Sequence, residues 1–101
     1  MDSQQRLGVE NAIAAIDLLS DRWTLLVMFF LKDETMRFGE LERAIGRISP
    51  KMLTQTLRRM ERNGLVQRHV YAEVPPRVEY SPTELGTTLA GPLMALCDWS
   101  V

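Results

Sequence analysis

The stretch from Ser49 to Gly64 constrains this chain most, because both ends of a helix are written into it. Ser49 is a strong N-cap residue, and Pro50 suits the first helical position, where its missing N–H leaves no bond unmade. Asn63-Gly64 closes the run, with glycine as the left-handed terminator. At roughly 100° per residue from Lys51, the side chains of Thr54, Gln55 and Arg58 fall within about 60° of it, whereas Leu53, Leu57 and Met60 cluster about 180–240° away. One face is built to pack on a core. The other offers Lys, Thr, Gln and Arg to solvent.

The rest of the chain is punctuated almost as clearly. Val9, Ala12, Ile13, Ile16 and Leu19 recur at helical spacing and predict a first helix over about 9–19. Ser20 and Asp21 are N-cap candidates for a second helix, in which Trp23, Leu26, Val27, Phe30 and Leu31 form one stripe and Leu25, Met28 and Phe29 make the other sides apolar. Met36 to Phe38 reads as a short strand. Phe38, Leu41, Ala44 and Ile45 mark a third helix stopped by Gly46. After the Ser49–Gly64 helix, Leu65 to Tyr71 and Arg77 to Ser81 are extended runs around Ala72–Pro76, which predicts a β-hairpin. Ser81-Pro82-Thr83-Glu84 fits a capping box with proline at the first helical position, opening a last helix to about Trp99 with a kink at Gly91-Pro92.

Two short helices joined by a tight turn and followed at once by a hairpin make a winged helix-turn-helix. The expected fold is thus mainly α with a small β-hairpin wing, in one domain over 1–101. The helix-turn-helix lies at about 39–63 and the wing at about 65–81, with terminal helices at 9–19 and 82–99 serving dimerisation. Charge follows the same plan. From Arg47 to Arg68 there are six basic residues (Arg47, Lys51, Arg58, Arg59, Arg62, Arg68) against one acid (Glu61), a net +5, while the other six basic and twelve acidic residues give −6. A chain of formal net charge −1 therefore hides a basic segment that coincides with the outward helix.

Such a face suits double-stranded DNA. Gln55 can pair with adenine and Arg58 with guanine, Lys51 and Thr54 can reach bases or phosphates, and the Ser49 end of the helix offers N–H groups to a phosphate. Arg59 flanks the stripe as a phosphate contact. In the hairpin, Arg68, His69 and Arg77 could touch the duplex, Arg77 foremost because Pro75-Pro76 holds it near the tip. Glu73 and Glu79 would repel phosphate if they faced it.

Other classes of function fit less well. The single cysteine, Cys97, excludes an intramolecular disulfide and suits a reducing, cytoplasmic setting. Among Leu93, Leu96 and Trp99 it reads as a buried, inert thiol. Met1 to Leu7 has no signal-peptide core, and the Trp23–Leu31 run is too short to cross a bilayer. There is no Gly-rich phosphate loop and no His/Cys set with metal-ligand spacing, so neither an enzyme nor a cofactor or metal site is expected.

Five ordered segments carry a family resemblance: Arg22-Trp23-Thr24-Leu25-Leu26, Arg37-Phe38-Gly39-Glu40-Leu41, Ile48 to Gln55, Gly64-Leu65-Val66, and Val74 to Tyr80. With Thr83-Glu84-Leu85-Gly86 and Trp99 they resemble the HxlR-type winged helix-turn-helix regulators, related to the MarR type, over about Ala12 to Trp99. The resemblance implies a dimeric transcriptional regulator in which the Pro50–Arg62 helix reads the major groove. Many members carry a Cys-Pro pair that would fall at Glu10-Asn11 here, so redox sensing through that cysteine is not expected.

The terminal helices carry apolar surface that a small domain cannot hide, including Leu85, Leu89, Leu93 and Leu96, and the all-apolar second helix also asks for a partner surface. A two-fold homodimer would set two reading helices about 34 Å apart, which implies a pseudo-palindromic operator. Trp23, Met28, Phe29, Phe30 and Met94 could line an effector pocket at the dimer interface, though such residues more often fill a core, and no effector is named. The competing reading is a winged-helix protein–protein interaction module without DNA binding.

Overall fold

The computed structural model describes residues 2–100, the Leu19 side chain excepted. Met1, Val101 and the Leu19 side chain, included in the expected domain and helical stripe, lie outside the described residues. The elements run α1 (Ser3–Ser20), α2 (Arg22–Leu31), β1 (Met36–Arg37), α3 (Phe38–Ile45), α4 (Pro50–Arg62), β2 (Val66–Tyr71), β3 (Arg77–Pro82), α5 (Glu84–Thr87) and α6 (Ala90–Trp99).

Local chemistry accounts for each boundary. α1 starts six residues earlier than its apolar periodicity suggests, at Ser3 instead of Val9, because Asp2 and Gln5 form a capping box. The Gln5 N–H donates to Asp2 Oδ1 at 2.8 Å and the Asp2 N–H to Gln5 Oε1 at 2.9 Å. Asp21 caps α2, accepting from the Thr24 N–H at 3.3 Å and the Thr24 hydroxyl at 2.8 Å. Gly46 and Gly64 end α3 and the α4 turn at φ 76° and 75°, a conformation that a Cβ would strain.

The C-terminal region departs from expectation. Ser81 and Pro82 belong to the end of β3, opposite Gln67 and Val66 of β2. The N-cap is Thr83, whose hydroxyl oxygen accepts from the Gly86 N–H at 3.0 Å. A proline at the last position of a strand loses little, because the ladder ends there. The single bent helix is two helices, with the break at Thr88-Leu89 instead of Gly91-Pro92. Pro92 has no N–H for the residue 88 carbonyl and its ring crowds that carbonyl, so the helix parts one turn before the proline. In α6 itself Pro92 sits in the first turn, where it is tolerated.

α2 is the centre of the core. Val27, Met28 and Leu31 are buried with Leu41 of α3, Leu53, Leu57 and Met60 of α4, Val66 of β2 and Leu93 of α6. Trp23, Leu25, Phe29 and Phe30 are half-buried against that cluster. The expectation that α2 needs an outside partner is therefore corrected: the chain's own helices and β3 enclose it, leaving mainly Leu26 exposed. The three strands form an antiparallel sheet in the order β1-β3-β2, with Met36 opposite Tyr80 and Arg68 opposite Tyr80 from the other side.

Exposed apolar side chains lie on the hairpin (Val70, Tyr71 and Val74), at Leu85 of α5, on α1 and at the end of α6. Leu7, Val9, Ile13 and Ile16 are exposed, Ile16 by 62%, and Trp99 is 82% exposed. α1 projects from the body along its long axis. The radius of gyration, 15.5 Å, exceeds the about 13 Å expected of a compact chain this size.

Candidate nucleic-acid interface

α4 is fixed from within. Leu53, Thr56, Leu57 and Met60 are buried, so the helix cannot rotate about its axis without exposing them. Lys51, Gln55, Arg58 and Arg62 are exposed on the opposite side. Arg62, outside the four-residue stripe expected from sequence, falls about 20° from Lys51 on the same wheel. It extends the cationic row to the C-terminal end of the helix.

At the N-terminus, Ser49 Oγ accepts from the Met52 N–H at 3.1 Å and Leu53 donates to the Ser49 carbonyl at 2.9 Å. Pro50 has no N–H, so Lys51 keeps the available backbone donor of the first turn. Ser49 is thus a capping residue first. Thr54 lies at one edge of the stripe, half-buried, its hydroxyl donating to the Pro50 carbonyl at 2.9 Å. That proton is engaged, which leaves Thr54 an acceptor and a methyl group to offer.

The structure places two of the expected contacts elsewhere. Arg59 turns to the other edge of α4 and forms a forked pair with Asp21, Nε to Oδ2 at 3.0 Å and Nη2 to Oδ1 at 3.2 Å. It ties α4 to the junction of α1 and α2 instead of facing outward as a free cation. Arg77 stacks on the Tyr71 ring at 4.1 Å and approaches Glu73 at 3.4 Å and Glu79 at 3.5 Å. Two carboxylates offset its charge. Strand alternation also puts Arg77, Glu79, His69 and Tyr71 on the sheet face opposite to Tyr80 and Arg68.

The residues singled out as pocket candidates mostly pack in or against the core: Met28 is buried, and the half-buried Phe29 and Phe30 pack edge to face at 5.2 Å. Trp23 is the exception, bordering a cavity of about 390 Å³ with Arg22, Leu26, Ile45 and Arg47. Cys97 is a free thiol, half-buried instead of fully buried as the sequence suggested. No helix among the described residues is long and apolar enough to cross a membrane.

An outward cationic helix held by a helical core, with a three-stranded sheet beside it, defines a winged helix-turn-helix protein. Residues 18–101 match the HxlR-like helix-turn-helix family, and the chain belongs to it. Its relatives include an HTH-type transcriptional regulator of Methanothermobacter thermautotrophicus, 48% identical over 85 residues. That match covers 84% of this chain and 65% of the relative's length. Among solved structures, a MarR-family transcriptional regulator of Porphyromonas gingivalis W83 superimposes with a TM-score of 0.83 at 37% identity, covering 88% of this chain and 87% of that one. The reduced form of the B. subtilis transcriptional regulator YodB gives 0.76 at 34% identity, covering 99% and 91%. The family is one of transcriptional regulators, not of enzymes.

Proposed function

We propose that the chain is a sequence-specific, double-stranded DNA-binding transcriptional regulator that works in the cytoplasm as a homodimer. The observation that carries this reading is the solvent-facing row Lys51, Gln55, Arg58 and Arg62 on a helix whose other face is locked in the core. Three cations supply attraction to phosphates, and Gln55, among them, supplies the paired donor and acceptor that a base edge requires. An interaction face would be depleted of charge at its centre, which this one is not.

The homodimer rests on α1. Val9, Ile13 and Ile16 are exposed and share one face of α1, an apolar stripe that no other described part of the chain covers, and Trp99 at the end of α6 is exposed as well. A second copy of the same helix is the self-complementary cover, and a two-fold axis through it presents two α4 helices to a pseudo-palindromic operator.

Selection of fragments from genomic DNA by the purified protein at two salt concentrations tests the reading. Retention of particular fragments, weakening steeply with salt, is expected. Retention of none at either concentration would favour an interaction module without DNA binding. Sedimentation equilibrium of the wild type and Ile13→Lys tests the dimer: a wild type that sediments as a monomer would refute it.

A further inference from the structure

A cleft of about 190 Å³ lies between α4 and the sheet, lined by Thr54, Arg58, Glu61, Arg68 and Tyr80. Thr54, Arg58 and Glu61 form one row along α4, and Arg68 and Tyr80 are cross-strand partners. Arg68 shares its strand face with Val66, which is buried, so alternation aims a guanidinium to the side of the sheet where α4 packs. The guanidinium there faces α4 while staying half in water.

The partner within the chain is poor. Glu61 Oε2 lies 3.9 Å from Arg68 Nε, outside hydrogen-bond range, and both side chains are more than two-fifths exposed, at 42% and 49%. Two of the other groups in the cleft, Arg58 and Tyr80, are donors. Arg58 brings a second guanidinium. Burial pushes the Tyr80 hydroxyl above its ordinary pKa, with Arg68 pulling down, Glu61 pushing up and Arg58 pulling down, so the phenol keeps its proton at neutral pH. The Thr54 proton is committed to Pro50. Donors therefore converge from a helix and two strands on a space with one carboxylate to oppose them. A base edge, which also has donors, would find Glu61 and hydroxyl oxygens to accept them but would face two guanidinium groups as well. An oxyanion with acceptors alone suits the cleft better.

We infer that this cleft seats a backbone phosphate of the duplex whose groove α4 enters, with Arg58 and Arg68 neutralising it and the Tyr80 hydroxyl donating to a non-bridging oxygen. The inference rests on the DNA-binding reading and deepens it, because Arg58 belongs to both the outward row and the cleft. It gives the wing strand a role in register: the phosphate fixes how far along the groove α4 sits, while Gln55 reads. Glu61 holds Arg68 loosely in the free protein and repels the incoming phosphate.

The test is duplex binding by fluorescence anisotropy across a range of sodium chloride, for the wild type and Arg68→Gln, Arg68→Lys, Tyr80→Phe and Glu61→Gln, each checked for an intact melting transition. Arg68→Gln is expected to lower the slope of log affinity against log salt by about 0.9 per seated phosphate, and Arg68→Lys to preserve it. Tyr80→Phe is expected to weaken binding roughly three- to tenfold with the slope unchanged. Glu61→Gln is expected to tighten binding. A wild type that binds in a salt-dependent way while Arg68→Gln and Tyr80→Phe bind identically to it would overturn the seat and leave the DNA-binding reading intact. A wild type that binds no duplex would overturn both. Inorganic phosphate titrated without DNA is expected to give no saturable rise in melting temperature. A rise that Tyr80→Phe abolishes would assign the cleft to a free anion and overturn the duplex assignment.

Discussion

Gly86→Ala is a severe test of how the sheet is set against α4. Gly86 is buried in α5, and a Cβ built there overlaps the Leu65 carbonyl oxygen and crowds the carbonyl carbon at 3.1 Å and Met28 Cε at 3.3 Å. The Leu65 peptide cannot swing away freely. Its N–H donates to the Met60 carbonyl at 2.9 Å, and its oxygen accepts from the Thr83 N–H at 3.1 Å. Relief therefore requires α5 to lift off or the Thr83–Leu65 bond to break. Forcing a methyl into such a site costs about 1–3 kcal/mol, and leaving the buried carbonyl without its partner adds about 1–3 kcal/mol. A loss of about 2–6 kcal/mol is expected. At roughly 4–8 °C per kcal/mol for a domain of this size, the melting temperature should fall by about 10–50 °C. The assay is thermal and urea unfolding by circular dichroism at one fixed protomer concentration, because association shifts the midpoint. Gly91→Ala is the control: nothing lies within 4 Å of its Cβ, so it should be neutral or slightly stabilising. A Gly86→Ala protein within about 1 kcal/mol of wild type would refute the backbone contact that joins α5 to the α4–β2 turn.

Three other changes follow from the same contacts. Arg59→Ala should lower stability by about 1 kcal/mol and leave the salt dependence of DNA binding unchanged, since Arg59 serves Asp21; a reduced slope would return it to the phosphate contacts. Asp21→Ala should lower stability further, by about 1.5–3 kcal/mol, because the α2 cap is lost as well. Thr56→Val should raise stability by about 1 kcal/mol, because the buried Thr56 hydroxyl has no hydrogen-bond partner among the described residues; a loss on urea unfolding would show that it has one. Tyr80 contributes a pH dependence of definite sign. Its folded pKa is raised above the unfolded value of about 10, so the neutral phenol is favoured in the fold. That stabilisation is present below about pH 10 and is lost as pH climbs through the raised pKa, and Tyr80→Phe should flatten the alkaline fall in melting temperature.

The fold was legible where local signals and long-range packing agree. Ser49-Pro50, Asn63-Gly64 and Gly46 act within a few residues, and the helices they bound appear where the sequence puts them. The cap at Ser81 was misplaced because Ser81-Pro82-Thr83-Glu84 holds two competing N-cap candidates, and pairing of Ser81 and Pro82 with β2 decides between them. α2 looked in need of a partner because its sequence shows only that all sides are apolar, not that α1, α3, α4, α6 and β3 surround it. At the candidate interface, helical spacing revealed the exposed row, and it could have revealed Arg62. It could not reveal Arg59 with Asp21, 38 positions apart, nor the Glu73–Arg77–Glu79 set across the hairpin. The cleft of Arg68 and Tyr80 required the register of β2 and β3.

Base discrimination by Gln55 tests the central claim most directly. A genomic fragment retained by the protein, with single-base variants of its site, is titrated against the wild type, Gln55→Ala and Lys51→Ala. The wild type should discriminate at contacted bases by about 1–3 kcal/mol each, and Gln55→Ala should lose that discrimination at one position per half-site while keeping its salt slope. Gln55→Ala and Lys51→Ala proteins that melt like the wild type and retain its full affinity and base preference would contradict the assignment of α4 as the reading helix.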